Sequence, residues 1–428
     1  MMRNLCNSVF LTSLFFVLIS GYPFSSFASD SEDSAAYSEF DSKFIIDEAW
    51  LVIAAESNSP ISMMGHSFLL ARGNGRENAV SYFTNLNEGF FSAMKSLFGY
   101  GRGYYIVQPY SELLKQYLYG EKRSLWEFKL DLTEEEKKAL KERVWQLYGR
   151  QDYYKFITHN CNNAVIDLLS GINADFDGSG VKPFITPVEY AAGLYEKGKI
   201  ISINYRPADY DKRRGKPVVK NILESKPPAR ISMLYGKSDN DGNSAYMELS
   251  PVYQDIRATG DARNTESEVK LSYARLRIKE NSSLGISEYS LLRLKSINRM
   301  SSYLDLGYKE DNIAISGGLG FGYVRMGDAG RGGVSAYILP VFGIRHGRAF
   351  ASSETGIIVR GGGKFKTGTS LSLSTDYNTG NAFISVSLWK NTDFLLEYEK
   401  RYIHGNMVLR KIYADKVSES RAGLAVFF

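Results

Sequence analysis

The sequence predicts an α+β domain followed by an all-β antiparallel barrel of about 10–12 strands. Three observations predict it. Residues 45–204 mix helical and strand periodicities, whereas residues 231–428 read almost wholly as strands. Between them, residues 205–230 carry Pro207, Pro217, Pro227, Pro228 and eight basic residues, the composition of a linker. A chain of 428 residues is also too long for one ordinary core.

Residues 1–28 read as an export signal. Arg3 supplies the positive end, Val9 to Ile19 the apolar run, and Ser26-Phe27-Ala28 a small-x-small cleavage site. The mature chain then starts at Ser29, with a tail over residues 29–44. The competing reading is an uncleaved anchor, for which the apolar run is short. Cys6 precedes that run, which argues against a lipoprotein. No later stretch reaches about 18 consecutive apolar residues, so any membrane span must be a β-barrel. The net charge of +5 suits anionic lipid and calls for no nucleic-acid partner.

Within the first domain, Trp50 to Ala55 is an apolar run that ends at the breakers Ser57-Asn58-Ser59-Pro60. Ile61 to Ala71 reads as a strand with His66, Phe68 and Leu70 on one face. Asn85 to Gly103 reads as a Gly-rich aromatic loop with at most one short helix. Ser111 to Tyr119 is helical, and Ser124 to Leu130 alternates as a strand. Thr133 and Glu136 form a capping box that opens a helix running to about Tyr148. Another helix starts near Cys161 and ends at Gly171, and Pro187 opens a third.

The second half offers segments such as EVKLSYARLRI, GVSAYILPVFGI and DFLLEYEKR between Gly, Asn and Asp clusters. Phe394, Leu396 and Tyr398 alternate with Glu397 and Glu399, as lipid-facing and lumen-facing residues would. A soluble sandwich or barrel is the alternative. The chain ends SRAGLAVFF, where Arg421, Gly423, Val426 and Phe428 match the terminal assembly signal of bacterial outer-membrane barrels. This predicts an outer-membrane location, contact with outer-membrane lipid, and recognition by the assembly machinery through Phe428. Gly317 to Gly322 is a glycine-bearing barrel strand and not a dinucleotide fingerprint, since no helix follows.

Cys161 is the one cysteine left after signal removal, so it has no internal disulfide partner. Asn160 can cap its helix, and a thiol in a first helical turn is favoured as thiolate by the helix dipole. The competing reading is a small buried hydrophobe. Among His66, His159, His346 and His404, the strand residue His66 after Gly65 is the candidate base; the last two fall in the barrel half. A strand histidine with a helix-start cysteine is a papain-like geometry, here in permuted chain order. Asn78 and Ser81 are candidates to orient the histidine. Asn160, Asn162 and the backbone N–H groups at the helix start are candidates for an oxyanion site. Arg123 could hold a carboxylate or phosphate, or form a structural ion pair. His159 with Cys161 makes a poor metal pair, so no metal or cofactor is expected.

The runs SNSPISMMGHSFLLARG, YGEKRSLWEFKLDLTEEE and YKFITHNCNNAVIDLLSG together resemble the periplasmic domain of the lipoprotein N-acyltransferase B family, over about residues 45–200. The resemblance implies a permuted papain-like thiol fold in the periplasm, with Cys161 as nucleophile and His66 as base. It implies acyl transfer or hydrolysis on lipid or lipoprotein acyl groups. That family continues into membrane helices, which are absent here. Two alternatives stand beside it: a peptidoglycan-directed amidase or endopeptidase, and a non-enzymatic outer-membrane channel or structural protein.

Overall fold

A computed structural model describes residues 33–55, 65–84, 99, 101–155, 158–178, 185–208, 222–224, 227, 229–239, 242–254, 266–297, 301–309, 312–326, 333–345, 348–361, 365–374, 377–389, 392–403 and 415–427. The export signal, Phe428, His346, His404 and most of the predicted 85–103 loop lie outside these residues.

The first unit is built on a sheet of seven antiparallel strands: β1 Glu48–Ala54, β2 His66–Gly73, β3 Arg76–Thr84, β4 Gly101–Pro109, β5 Leu125–Leu130, β6 Gln151–Tyr154 and β7 Ile200–Arg206. Their spatial order is β6-β4-β3-β2-β1-β5-β7. The helices are α1 Asp33–Lys43, α2 Tyr110–Leu114, α3 Glu134–Leu147, α4 Cys161–Ser170 and α5 Pro187–Glu196; α2 continues as a wider turn over Lys115–Gly120. Both faces of the sheet are covered. On one, Leu51, Ile53, Leu69, Val80 and Phe128 meet Val144 of α3, Leu168 of α4 and Leu194 of α5. On the other, Val52, Phe68, Leu70 and Ala79 meet Tyr110 and Leu113 of α2 and Tyr117 of the turn after it. The central strand β1 is therefore buried on both sides, which explains its unbroken apolar run.

The capping signals fold as their chemistry dictates. Thr133 and Glu136 exchange side-chain-to-backbone bonds at the start of α3. Thr186 and Glu189 do the same at α5, with Pro187 in its first turn. Other local expectations are corrected. The tail holds α1, because Tyr37 and Phe40 dock their rings on Trp145 at 5.4 and 5.2 Å. Residues 101–103, the end of the expected loop, instead open the strand Gly101–Pro109, whose Tyr104 to Val107 pair along β3. β6 and β7 are edge strands not predicted from the sequence; β6 spans only four residues, and most of β7 is exposed. Past β7, Ile222 packs back onto the domain core.

The second unit is a closed antiparallel barrel. Its strands are β8 Arg230–Ser238, β9 Gly242–Ser250, β10 Val252–Gln254, β11 Glu266–Lys279, β12 Leu284–Ile297, β13 Ser301–Lys309, β14 Asn312–Met326, β15 Gly333–Arg345, β16 Arg348–Gly361, β17 Phe365–Ser374, β18 Tyr377–Trp389, β19 Thr392–Ile403 and β20 Asp415–Phe427. β9 and the short β10 lie end to end along β11, so the ring has twelve positions. It closes where β20 pairs with β8 and β9 with β11. Closure removes the free edges that hydrocarbon cannot satisfy.

The barrel is apolar outside and charged inside. Ile313, Leu319 and Phe321 are exposed at 72, 66 and 71 %. Phe394, Leu396 and Tyr398 also face outward, while Glu397 and Glu399 are buried in the lumen, as their alternation predicts. This inversion of a soluble protein's pattern identifies a membrane-spanning barrel and excludes the soluble sandwich. Inside the barrel wall, Arg275 pairs with Glu248 and Glu288 on the strands beside it and reaches Glu397 on β19, and Arg421 pairs with Glu397 and Glu399 on β19 and with Glu419 on its own strand. Arg293 joins Glu288 and Asp305, and Lys295 joins Glu354.

Candidate functional site

α4 begins because Asn160 is extended and its side-chain oxygen accepts from the N–H groups of Asn162 and Asn163 at 2.9 and 3.1 Å. Asn163 returns the bond to the Asn160 N–H at 3.4 Å. Cys161 therefore occupies the first helical position and is buried. Asn162 anchors this corner. Its amide donates to the Ile185 carbonyl at 2.8 Å, and its oxygen accepts from the Ser67 hydroxyl at 3.1 Å. So Asn160 caps and Asn162 ties α4 to β2.

The thiol lies against the start of β2. Burial pushes its pKa up; the Ser67 N–H, the Arg123 guanidinium, the Asn162 N–H and the Ser67 hydroxyl oppose that rise. The resting group is thus a neutral thiol. It is nevertheless surrounded by donors that would favour a thiolate once the burial cost is relieved.

His66 is the neighbour of Ser67 in the chain, but its ring leaves β2 on the opposite face. It stacks on Phe83 with centroids 5.5 Å apart and lies 6.1 Å from both Phe68 and Tyr117. Strand parity is the cause, because Ser67 and Leu69 face α4 whereas His66 and Phe68 face the Tyr117 side. Burial and the nearby Arg123 charge drop the His66 pKa to about 3. Its Nε2 has no hydrogen-bond partner among the described residues. Gly65, with φ of +87°, makes the turn into this strand beside the Ala54 carbonyl.

Arg123 bridges the two faces electrostatically. It donates to the Ala55 carbonyl at 2.5 Å and to Glu121 at 2.7 Å, and sits 5.0 Å over the Tyr117 ring. Its hydrogen-bonding capacity is largely spent on the protein, as in a structural ion pair. Asn78 lies opposite Ala71, about five residues or ~16 Å along β2 from His66. Ser81 is closer in kind: it shares the Ala79 and Phe83 face with His66, and its buried hydroxyl has no partner among the described residues. Ser67 was missed from the sequence. Its signal was a polar residue at an inward-facing strand position. Among the described residues, no three His, Cys, Asp or Glu side chains converge as metal ligands would.

Residues 36–191 match the family model described as the Lnb N-terminal periplasmic domain. The chain is an outer-membrane β-barrel protein with a periplasmic N-terminal domain. No curated protein matches it. Among solved structures it is similar to the KdgM porin, at 12 % identity over 46 % of this chain and 99 % of that one, with a TM-score of 0.29. The NanC porin matches at 6 % identity over 46 % and 98 %, with a TM-score of 0.27. The outer membrane protein OprD from Pseudomonas aeruginosa matches at 7 % over 48 % and 94 %, with a TM-score of 0.22.

Proposed function

We propose that the periplasmic domain is a cysteine-dependent acyl-transfer or hydrolytic module of the permuted papain-like type, held at the outer membrane by its barrel. The observation that carries this reading is the donor set around Cys161 at a capped helix start. The thiolate attacks an acyl carbonyl, a C–S bond forms, and the C–O or C–N bond to the leaving group breaks. The leaving group takes up the proton removed from the thiol. Water or an amine then cleaves the thioester. The N–H groups of Ser67 and Asn162 would hold the oxyanion or the sulfur.

His66 serves as base only after its ring leaves the Phe68, Phe83 and Tyr117 nest. Its position at the first residue of β2, directly after a glycine of positive φ, supports that movement. Ser81 would then orient the departing ring or fill its place. Membrane anchoring supports acyl groups of lipids or lipoproteins as substrate, with peptidoglycan amides as the second class. The channel reading is disfavoured by the ion pairs Arg275–Glu397 and Lys295–Glu354, which link strands that are not neighbours in the ring and so narrow the lumen.

The test is intact-protein mass spectrometry of the full chain after incubation with phospholipid vesicles. Wild type should gain one acyl mass, Cys161→Ala none, and His66→Ala a slowly formed adduct. An adduct that persists in Cys161→Ala, or none in wild type with lipid, lipoprotein or peptidoglycan fragments, refutes the proposal.

A further inference from the structure

A groove separate from the thiol lies between α3 and α4. Its volume is about 310 Å³, at the small end of ligand sites. One wall is the outer stripe of α4, where Asn160, Asn163, Ala164 and Asp167 recur at helical spacing. Arg143 of α3 forms the other wall, Tyr82 the floor, and Asp152 with His159 the rim.

Two polar atoms here are buried with no hydrogen-bond partner among the described residues. Tyr82 is 5 % exposed, lines the groove, and its hydroxyl has no partner among the described residues. The Nε–H of Arg143 is likewise buried without one. Such groups cost free energy unless a ligand or water satisfies them. On the same groove the Asp167 carboxylate makes no ion pair within 4 Å among the described residues, and Asp152 lies 3.8 Å from His159 Nε2. The groove therefore offers donors on one side and a carboxylate on the other, with the charges of Arg143 and Asp167 balanced.

We propose that this groove binds a free α-amino acid, with its carboxylate on Arg143 and the Tyr82 hydroxyl and its ammonium on Asp167. A zwitterion satisfies both orphaned donors and the acid at once. An anion alone would leave Asp167 without a partner and face its charge. A cation alone would leave both donors unmet. Cys161 lies on α4 about a third of a turn from this stripe and does not line the groove, so the two sites share a helix.

The test is calorimetric titration of the detergent-folded full chain with alanine, using acetate and ethylamine as half-ligands. Alanine should bind, with both half-ligands at least about tenfold weaker, since each forfeits a charge-assisted contact. Tyr82→Phe and Asp167→Asn should each weaken alanine about tenfold at unchanged thermal midpoint. Cys161→Ala should bind as wild type, which separates this site from the thiol chemistry. The proposal is overturned if alanine does not bind, if acetate binds equally well, or if both groove variants bind as wild type.

Discussion

Replacing His66 with Phe tests whether the histidine rests in its aromatic nest or beside the thiol. The nest lowers its pKa from 6.5 to about 3, chiefly through burial. A base with a depressed folded pKa contributes stability above its unfolded pKa, and that stability is lost as pH falls towards the folded value. At 1.36 kcal/mol per unit, the whole window is worth on the order of 5 kcal/mol, and the loss by pH 4 about 3 kcal/mol. A phenyl ring keeps the stacking on Phe83 and does not titrate. Urea unfolding followed by tryptophan fluorescence reads the first unit, which holds Trp50, Trp126 and Trp145. Between about pH 7.5 and pH 4, the wild-type midpoint should fall by roughly 1.5 M more than that of His66→Phe, for a urea slope of about 2 kcal/mol/M. Were His66 instead paired with a Cys161 thiolate, its folded pKa would be raised. The wild type would then lose stability as pH rises, which is the opposite slope. Parallel curves, or that opposite slope, refute the nested resting state.

Other expectations follow from single contacts. Asn160→Ala removes the oxygen that accepts two N–H groups and should cost about 1 kcal/mol in the thermal unfolding of the first unit, with Asn160→Asp retaining most of it. Arg275→Ala breaks a buried hub, but Glu248, Glu288 and Glu397 each keep a second cation, so the cost should sit near the low end, about 3 kcal/mol. The same variant should raise conductance in planar bilayers above a near-silent wild type; a fully conducting wild type would show that the ion pairs do not occlude the lumen. Gly423→Ala would place a Cβ 1.9 Å from the Met233 carbonyl at the closing seam of β20 and β8. It should abolish the heat-modifiable barrel band on gels, and an unchanged band would count against this seam.

Much of this architecture was legible in the sequence because its signals are local. The capping box at Thr133 and the cap at Asn160 depend only on residues close in the chain, and each opens a helix where the sequence predicts one. The alternation of Leu396 and Tyr398 with Glu397 and Glu399 is likewise local, and it places apolar groups outside and acids inside. What the sequence did not reveal depends on pairing and parity. β6 is held by four partners on β4 and carries too short a pattern to recognise alone. The face on which His66 lies was read correctly, but the face on which α4 packs was not deducible. That choice rests on long-range contacts, such as Ser67 with Asn162, far apart in the chain.

The consequence for the thiol is a division of labour between two sides of one strand. The sulfur has its stabilising donors in place, yet burial keeps it protonated. Its natural proton acceptor, His66, adjoins the donor Ser67 in the chain but lies on the wrong face, neutral and with no partner for its Nε2 among the described residues. Such a site is chemically quiet until something both admits a polar group to the sulfur and releases the imidazole. Alkylation of Cys161 should therefore be slower at neutral pH than that of a free cysteine. It should accelerate when Phe83→Ala opens the nest, because freeing His66 restores both its basicity and its reach. If Phe83→Ala leaves the alkylation rate unchanged while His66→Ala in that background also changes nothing, the imidazole plays no part in activating the thiol. Arg123 and the helix start would then carry the activation alone.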